Sequence, residues 1–254
     1  MAFTTITGSN GRADSFIGTT GVDRVTLSTI RNGAFLSARQ ADDVVRLNSG
    51  GTGALASFSL NGGAGADTFT SLSSTNISRS RLLSDEGNDE ISLTGVDAST
   101  VSGGTGNDQI STAGSVASAL INGNAGIDQI SINAGAVSSS IFGGIDNDTI
   151  ALSTEIRRTV VQANEGDDVL TVANGTFLEN ATINGNQGND AITVNNISLF
   201  TTSTIFGGDG TDTINAANSG VGVVVHGDAG NDNITSGAGV DTINGGDGND
   251  TING

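Results

Sequence analysis

The chain has 254 residues, 39 of them glycine, with no proline, cysteine, tryptophan or tyrosine, and a net charge of −18 at pH 7. That charge suits neither nucleic-acid phosphates nor anionic membrane surfaces, and without cysteine there is no disulfide framework. No apolar run reaches the ~18 residues of a membrane-crossing helix, so no membrane insertion is expected. At the start, Met1 to Gly8 has neither a basic region nor a long apolar stretch and does not read as a standard signal peptide. Within it Phe3-Thr4-Thr5-Ile6-Thr7 alternates like a short strand.

From there one motif recurs to the end of the sequence: a glycine-rich turn, an aspartate, one spacer and an apolar residue. Its aspartates are Asp14, Asp23, Asp43, Asp67, Asp89, Asp108, Asp128, Asp148, Asp168, Asp190, Asp212, Asp232, Asp241 and Asp250. The steps between them are 9, 20, 24, 22, 19, 20, 20, 20, 22, 22, 20, 9 and 9 residues. A fixed period of this length signals stacked supersecondary units. Two residues after each aspartate stands an apolar residue, such as Val25, Phe69, Ile110 or Ile130. Seven residues before it stands another, such as Leu60, Ile121 or Ile141, with Thr7 before Asp14 the exception. Ile91-Ser92-Leu93 and Ile130-Ser131-Ile132 show the alternation of a half-buried strand.

Each coil of about 20 residues is therefore expected to run strand, turn, strand, turn, and to bury its apolar face only against neighbouring coils. Twelve aspartates, all except Asp14 and Asp241, then fall on one edge of a single-domain rod, residues 1–254, roughly 55 Å long at ~4.8 Å per coil. The opposite edge reads as irregular turns, among them Thr94 to Asp97, Ala113 to Val116, Ser153 to Ile156 and Asn174 to Phe177, each with an apolar plug for the core.

The motif is similar to the Gly-Gly-x-Gly-x-Asp-x-U-x nonapeptide of the RTX (repeats-in-toxin, hemolysin-type) calcium-binding proteins. Gly103-Gly104-Thr105-Gly106-Asn107-Asp108-Gln109-Ile110 is one clear copy, and Gly227 to Asn253 forms three in tandem. The resemblance implies an all-β fold, a right-handed parallel β-roll or β-solenoid of about 11–12 stacked coils, with several Ca2+ ions held in turns along one edge. It implies as metal ligands Asp14, Asp23, Asp67, Asp89, Asp108, Asp128, Asp148, Asp168, Asp190, Asp212, Asp232, Asp241 and Asp250. Asp43 is left out, because Ala38 to Asp43 lacks every motif glycine and weak binding is expected there. The chemistry agrees: calcium takes hard oxygen ligands from carboxylates and carbonyls, and glycine lets a tight loop turn its carbonyls toward an ion. Twelve stacked loops leave eleven gaps, enough divalent ions to offset the net charge. Most copies here come at about twice the family's nine-residue spacing, which leaves one calcium edge.

No catalytic site is expected. The one histidine, His226, starts a turn in an outward column with Asn122, Phe142, Gln162 and Phe206, and no nucleophile–base constellation accompanies it. The row before the motif aspartates (Asn88, Asn107, Ile127, Asn147, Asp167 and so on) is too mixed to present one ice-like lattice. Residues 1–7 and 250–254 occupy the same strand column, so a second copy could continue the stack, with the Asp14 loop over the Asp241 loop. Such a contact does not close and generates filaments. The reading is a secreted or cell-surface, non-enzymatic structural protein that forms a head-to-tail homopolymer with calcium. The alternative is a calcium-dependent folding or export module, or an adhesin segment, of a larger secreted protein. Whether a cell-surface glycan is also bound stays open.

Overall fold

The computed structural model describes residues 3–7, 15–28, 33–49, 54–72, 74–195, 197 and 199–254. Asp14 and the Gly8–Asp14 loop lie outside them. Three parallel sheets enclose one core. The first has thirteen strands, from Phe3–Thr7 to Thr251–Asn253, and the second twelve, from Ser15–Ile17 to Thr242–Asp247. The third has eight short strands, from Leu55–Ala56 to Leu199–Thr201. Among the described residues no helix is long and apolar enough to cross a membrane.

One coil shows how the sequence builds this. In Gln109–Thr112, Ile110 and Thr112 point inward while Gln109 and Ser111 point out. The chain turns at Ala113–Ser115 and Val116 enters the core. It turns again at Ser118, in the left-handed region at φ 50°, and Leu120–Ala125 sends Ile121 inward. Each inward residue stacks on its counterparts one coil away: Ile110 between Ile91 and Ile130, Val116 between Val96 and Ala136, Ile121 between Val101 and Ile141. Full burial of such a side chain stabilises by about 1.5–3 kcal/mol. Stacking on the coils to either side completes that burial, so no coil is stable alone.

The edge opposite the aspartates differs from the expectation of irregular turns. It is the third sheet, built from segments such as Val96–Asp97, Val116–Ala117 and Glu155–Arg157. A coil thus has three strands, not two. In Asn174 to Glu179 the plug is Leu178, fully buried, whereas Phe177 faces outward. Glu155 and Glu179, which lack a partner in the linear sequence, flank Arg157 in this sheet; its Nε lies 3.2 Å from Glu179 and beside Glu155.

The corner between the third and second sheets has its own ladder. A left-handed residue (Ser118, Ser138, Arg158, Asn180) turns the chain. The next residue is often Ser or Thr, and its hydroxyl accepts the backbone N–H of the coil before it. Examples are Ser80 N–H to Ser99 Oγ (2.9 Å), Ala119 N–H to Ser139 Oγ (3.2 Å) and Ala181 N–H to Ser203 Oγ (3.0 Å). Ser139→Ala leaves the buried Ala119 N–H without its acceptor and is expected to cost about 1 kcal/mol. Chemical denaturation in saturating calcium measures it, and an unchanged midpoint would show that the ladder contributes nothing.

Candidate metal centre

The twelve aspartates expected on one edge form an unbroken column. The backbone N–H of each donates to Oδ1 of the aspartate one coil on, from Asp23 to Asp43 (2.6 Å) through Asp108 to Asp128 (2.7 Å) and Asp148 to Asp168 (2.6 Å), to Asp232 and Asp250 (3.0 Å). One carboxylate oxygen therefore holds the stack together. The other is left over. In Asp43, Asp67, Asp89, Asp108, Asp128, Asp148, Asp168, Asp190, Asp212 and Asp232, Oδ2 is buried without a hydrogen-bond partner among the described residues. A buried carboxylate oxygen in that condition calls for a cation or a proton.

The space beside it is shaped by glycine. Five residues before most of the aspartates stands a glycine whose missing Cβ leaves a cradle between two oxygens. A Cβ on Gly103 would run into Asp108 Oδ2 and lie 2.8 Å from the carbonyl oxygen of Gly123 in the next coil. On Gly123 it would meet Asp128 Oδ2 and, at 2.6 Å, Gly143 O; on Gly207, Asp212 Oδ2 and, at 2.7 Å, Gly227 O. A main-chain carbonyl of the next coil and one carboxylate oxygen converge at such steps up to Gly227, and Gly245 meets Asp250 alone. Among the described residues no three Asp, Glu, His or Cys side chains converge, so the donor set is mainly carbonyl. All donors are hard oxygens, the set that calcium takes.

The electrostatics follow from burial. Burial pushes Asp148 up to about 8, and Asp67, Asp108 and Asp190 to about 7. It pushes Asp128, Asp168 and Asp212 to about 6. The N–H donated by the preceding aspartate opposes this shift, and neighbouring carboxylates add to it. Asp43, Asp89 and Asp232 are raised for the same first reason.

The remaining sequence-expected ligands stand apart. Asp23 heads the column, but its Oδ2 accepts the Thr19 N–H (2.6 Å) and its Oδ1 meets Thr19 Oγ1 (3.1 Å). Asp241 lies on the corner ladder, where its Oδ1 accepts the Val223 N–H (3.0 Å), the role that serine plays in other coils. Asp14 is outside the described residues. The cradle position holds Ala38 before Asp43 and Ser84 before Asp89, two loops whose missing leading glycines are visible in the sequence, and Ser84 Oγ donates into the carbonyl of Gly103. Ala163 before Asp168 is the third such position, and sequence reasoning missed it although the signal is the same: a non-glycine five residues before the aspartate.

Stacked parallel coils whose aspartate edge offers one unpartnered oxygen per loop define a metal-binding β-solenoid. The RTX calcium-binding nonapeptide repeat matches in four copies, at residues 59–75, 93–115, 203–218 and 224–254. Those four stretches carry the RTX calcium-binding repeat, with several calcium ions as cofactor. Among solved structures it is similar to a hyperactive, Ca2+-dependent, β-helical antifreeze protein from an Antarctic bacterium, at 21% identity and a TM-score of 0.67, over 97% of this chain and 85% of that one. No curated protein matches the chain.

Proposed function

We propose that the chain is an extracellular, non-enzymatic structural rod that folds on calcium and stacks head-to-tail into a filament or surface layer. The observation that carries the calcium dependence is the column of buried, unpartnered Oδ2 atoms. The glycine-cradled aspartates Asp67, Asp108, Asp128, Asp148, Asp190, Asp212, Asp232 and Asp250 hold the ions, together with carbonyls of the stacked loops. Asp43, Asp89 and Asp168, beside Ala38, Ser84 and Ala163, hold them more weakly. Asp23, engaged by Thr19, needs its loop to rearrange. Bound calcium supplies the positive charge that these buried carboxylates lack. Millimolar calcium, the extracellular condition, suits sites with few carboxylates.

Stacking is supported by two features. Thr251–Asn253 pairs on one side only, with Asn233–Thr235, and stands in the same sheet as Phe3–Thr7 at the other edge. Charge is also polarised along the rod. Residues 1–81 hold seven of the nine arginines against five aspartates, a net +2, whereas residues 82–254 hold two arginines against twenty-two acidic residues, a net −20. Opposite ends of two copies therefore attract, and the attraction is screened by salt. Asp241, on the corner ladder of the last coils, lies near such a joint. Asp241→Ala is expected to suppress the calcium-dependent rise in light scattering while the monomer folds, and Asp148→Ala in mid-rod to leave it intact. Equal assembly of Asp241→Ala and parent, or a parent that stays monomeric in calcium, would refute the joint.

A second reading is a calcium-dependent folding or export module, or an adhesin segment, in a longer secreted protein. It is favoured by the half-exposed Ile252, which continues the core column of Ile214 and Ile234, and by the 93% exposed Val240. Further coils would cover both as well as a second copy does. Ice binding is not favoured. The row before the aspartates mixes Asn107, Ile127, Asp167 and Thr211. Its amide oxygens accept the next loop's N–H, as in Ile127 N–H to Asn107 Oδ1 (2.9 Å) and Thr211 N–H to Asn189 Oδ1 (2.8 Å).

A further inference from the structure

We propose that the outer face of the second sheet binds an extended, neutral polysaccharide lying along the rod. The strands of this sheet kink, without ending, four residues before the motif aspartates, where the backbone turns left-handed: φ is 104° at Gly63, 73° at Asp85, 119° at Gly104, 85° at Asn124, 138° at Gly144 and 84° at Asn164. Stacked coil on coil, these kinks form a trench. Two adjoining depressions of about 750 and 500 Å³ occupy it and meet at Asn124 and Ala125.

The floor of the trench alternates. Glycine at 63, 104 and 144 leaves it open, and Asp85, Asn124 and Asn164 put a polar side chain into it. The period is two coils, about 9.6 Å at the spacing of paired strands, which is close to the two-sugar repeat of an extended β-linked polymer. Asn124 is held in place from both sides: Asn122 Nδ2 donates to its Oδ1 (2.6 Å), and its own Nδ2 donates to Ser102 Oγ (2.6 Å). Asn122 Oδ1 is left buried and without a partner. On the same wall, one coil on, stands the half-buried ring of Phe142. A few fixed polar groups beside an aromatic face make a sugar-sized subsite.

Rival ligands fit less well. From Ser102 to Asn164 the trench residues carry no charge, and in the rest of its lining Asp85, Glu86 and Glu165 outnumber Arg39 and Arg81, so the trench as a whole offers uronates and nucleic acid no net attraction. A peptide joining the sheet would need an open strand edge, whereas the trench strands are paired on both sides.

Cellohexaose, chitohexaose and mannohexaose, titrated in calcium-containing buffer and followed by calorimetry, test the assignment. At least one is expected to bind at millimolar concentration or below. Phe142→Ala and Asn124→Gly are each expected to weaken it about tenfold or more, the loss of roughly one good contact. Asn124→Gly is compatible with the fold, since neighbouring coils carry glycine at that position, and circular dichroism and bound calcium should not change. Phe177→Ala, on the third sheet, is the control and should bind like the parent. The proposal is overturned if none of the three sugars binds, or if both trench variants bind as tightly as the parent.

Discussion

In chelator at pH 8 the chain is expected to lose most of its β-sheet circular dichroism, and millimolar calcium to restore it. The reason is local and repeated ten times. Each buried aspartate leaves Oδ2 without a partner, and a charge in that position strongly disfavours the folded state. Ligands that assemble only in the fold convert binding free energy into folding free energy. Protons compete for the same oxygen, which fixes the sign of the pH dependence. The folded-state values lie at about 6 to about 8, above the ordinary carboxylate value of 3.8. Stability of the calcium-free fold is therefore fullest below about pH 4 and is lost as pH rises through 6 to 8. In chelator, more β-structure should survive at pH 5 than at pH 8, and the calcium needed to restore the fold should depend on pH over this window. Equal strand content with and without calcium at pH 8, or a calcium-free fold that strengthens from pH 5 to pH 8, would exclude this account.

Filling a single cradle should remove a single ion. The Cβ of Gly123→Ala enters the space between Asp128 Oδ2 and the carbonyl of Gly143. Both groups must shift to admit it, as they do beside Ala163, where the ladder runs on from Asp148 through Asp168 to Asp190. Overpacking of this kind costs about 1–3 kcal/mol. The loss of a bound ion adds to that in calcium-containing solution. Bound calcium, counted by native mass spectrometry, should fall by one per chain, with a lower unfolding temperature. The reverse change, Ala163→Gly, opens the cradle beside Asp168 and should tighten or add one site. If neither variant changes the ion count, the residue five before the aspartate does not control the site.

The sequence makes the aspartate edge and the core columns legible because both repeat in phase: a glycine turn, Asp128, then Ile130, again and again. The third sheet was hidden for a physical reason. Its strands are two or three residues long and contribute one apolar side chain each, as Val96, Val116 and Ile156 do, too little for an alternation to be seen. The corner ladder was hidden by composition, since serine and threonine are common everywhere in this chain. Its trace is an offset of nine residues before the aspartate, where Ser80, Ser99, Ser139, Thr159 and Ser203 stand. Asp14 and Asp241 sit at that same offset before Asp23 and Asp250. The position filled by an aspartate in these two end repeats is thus filled by a neutral hydroxyl in those five coils. Arg157 meets Glu155 within one strand, but its pairing with Glu179 required the stack itself, because residues 22 apart in sequence become next-coil neighbours.

The uniform direction of the ladders has a mechanical consequence. All three sheets are parallel, and the bonds that join one coil to the next lie along the rod. Tension applied between the two tips thus loads a single inter-coil seam at a time, in an unzipping geometry. When a seam yields, a coil of some 20 residues is released, about 65–70 Å of extended chain at ~3.3–3.6 Å per residue, in exchange for ~4.8 Å of rod. Such a rod holds its length up to a threshold force, then lengthens in nearly equal increments, and takes up slack coil by coil when the force is removed.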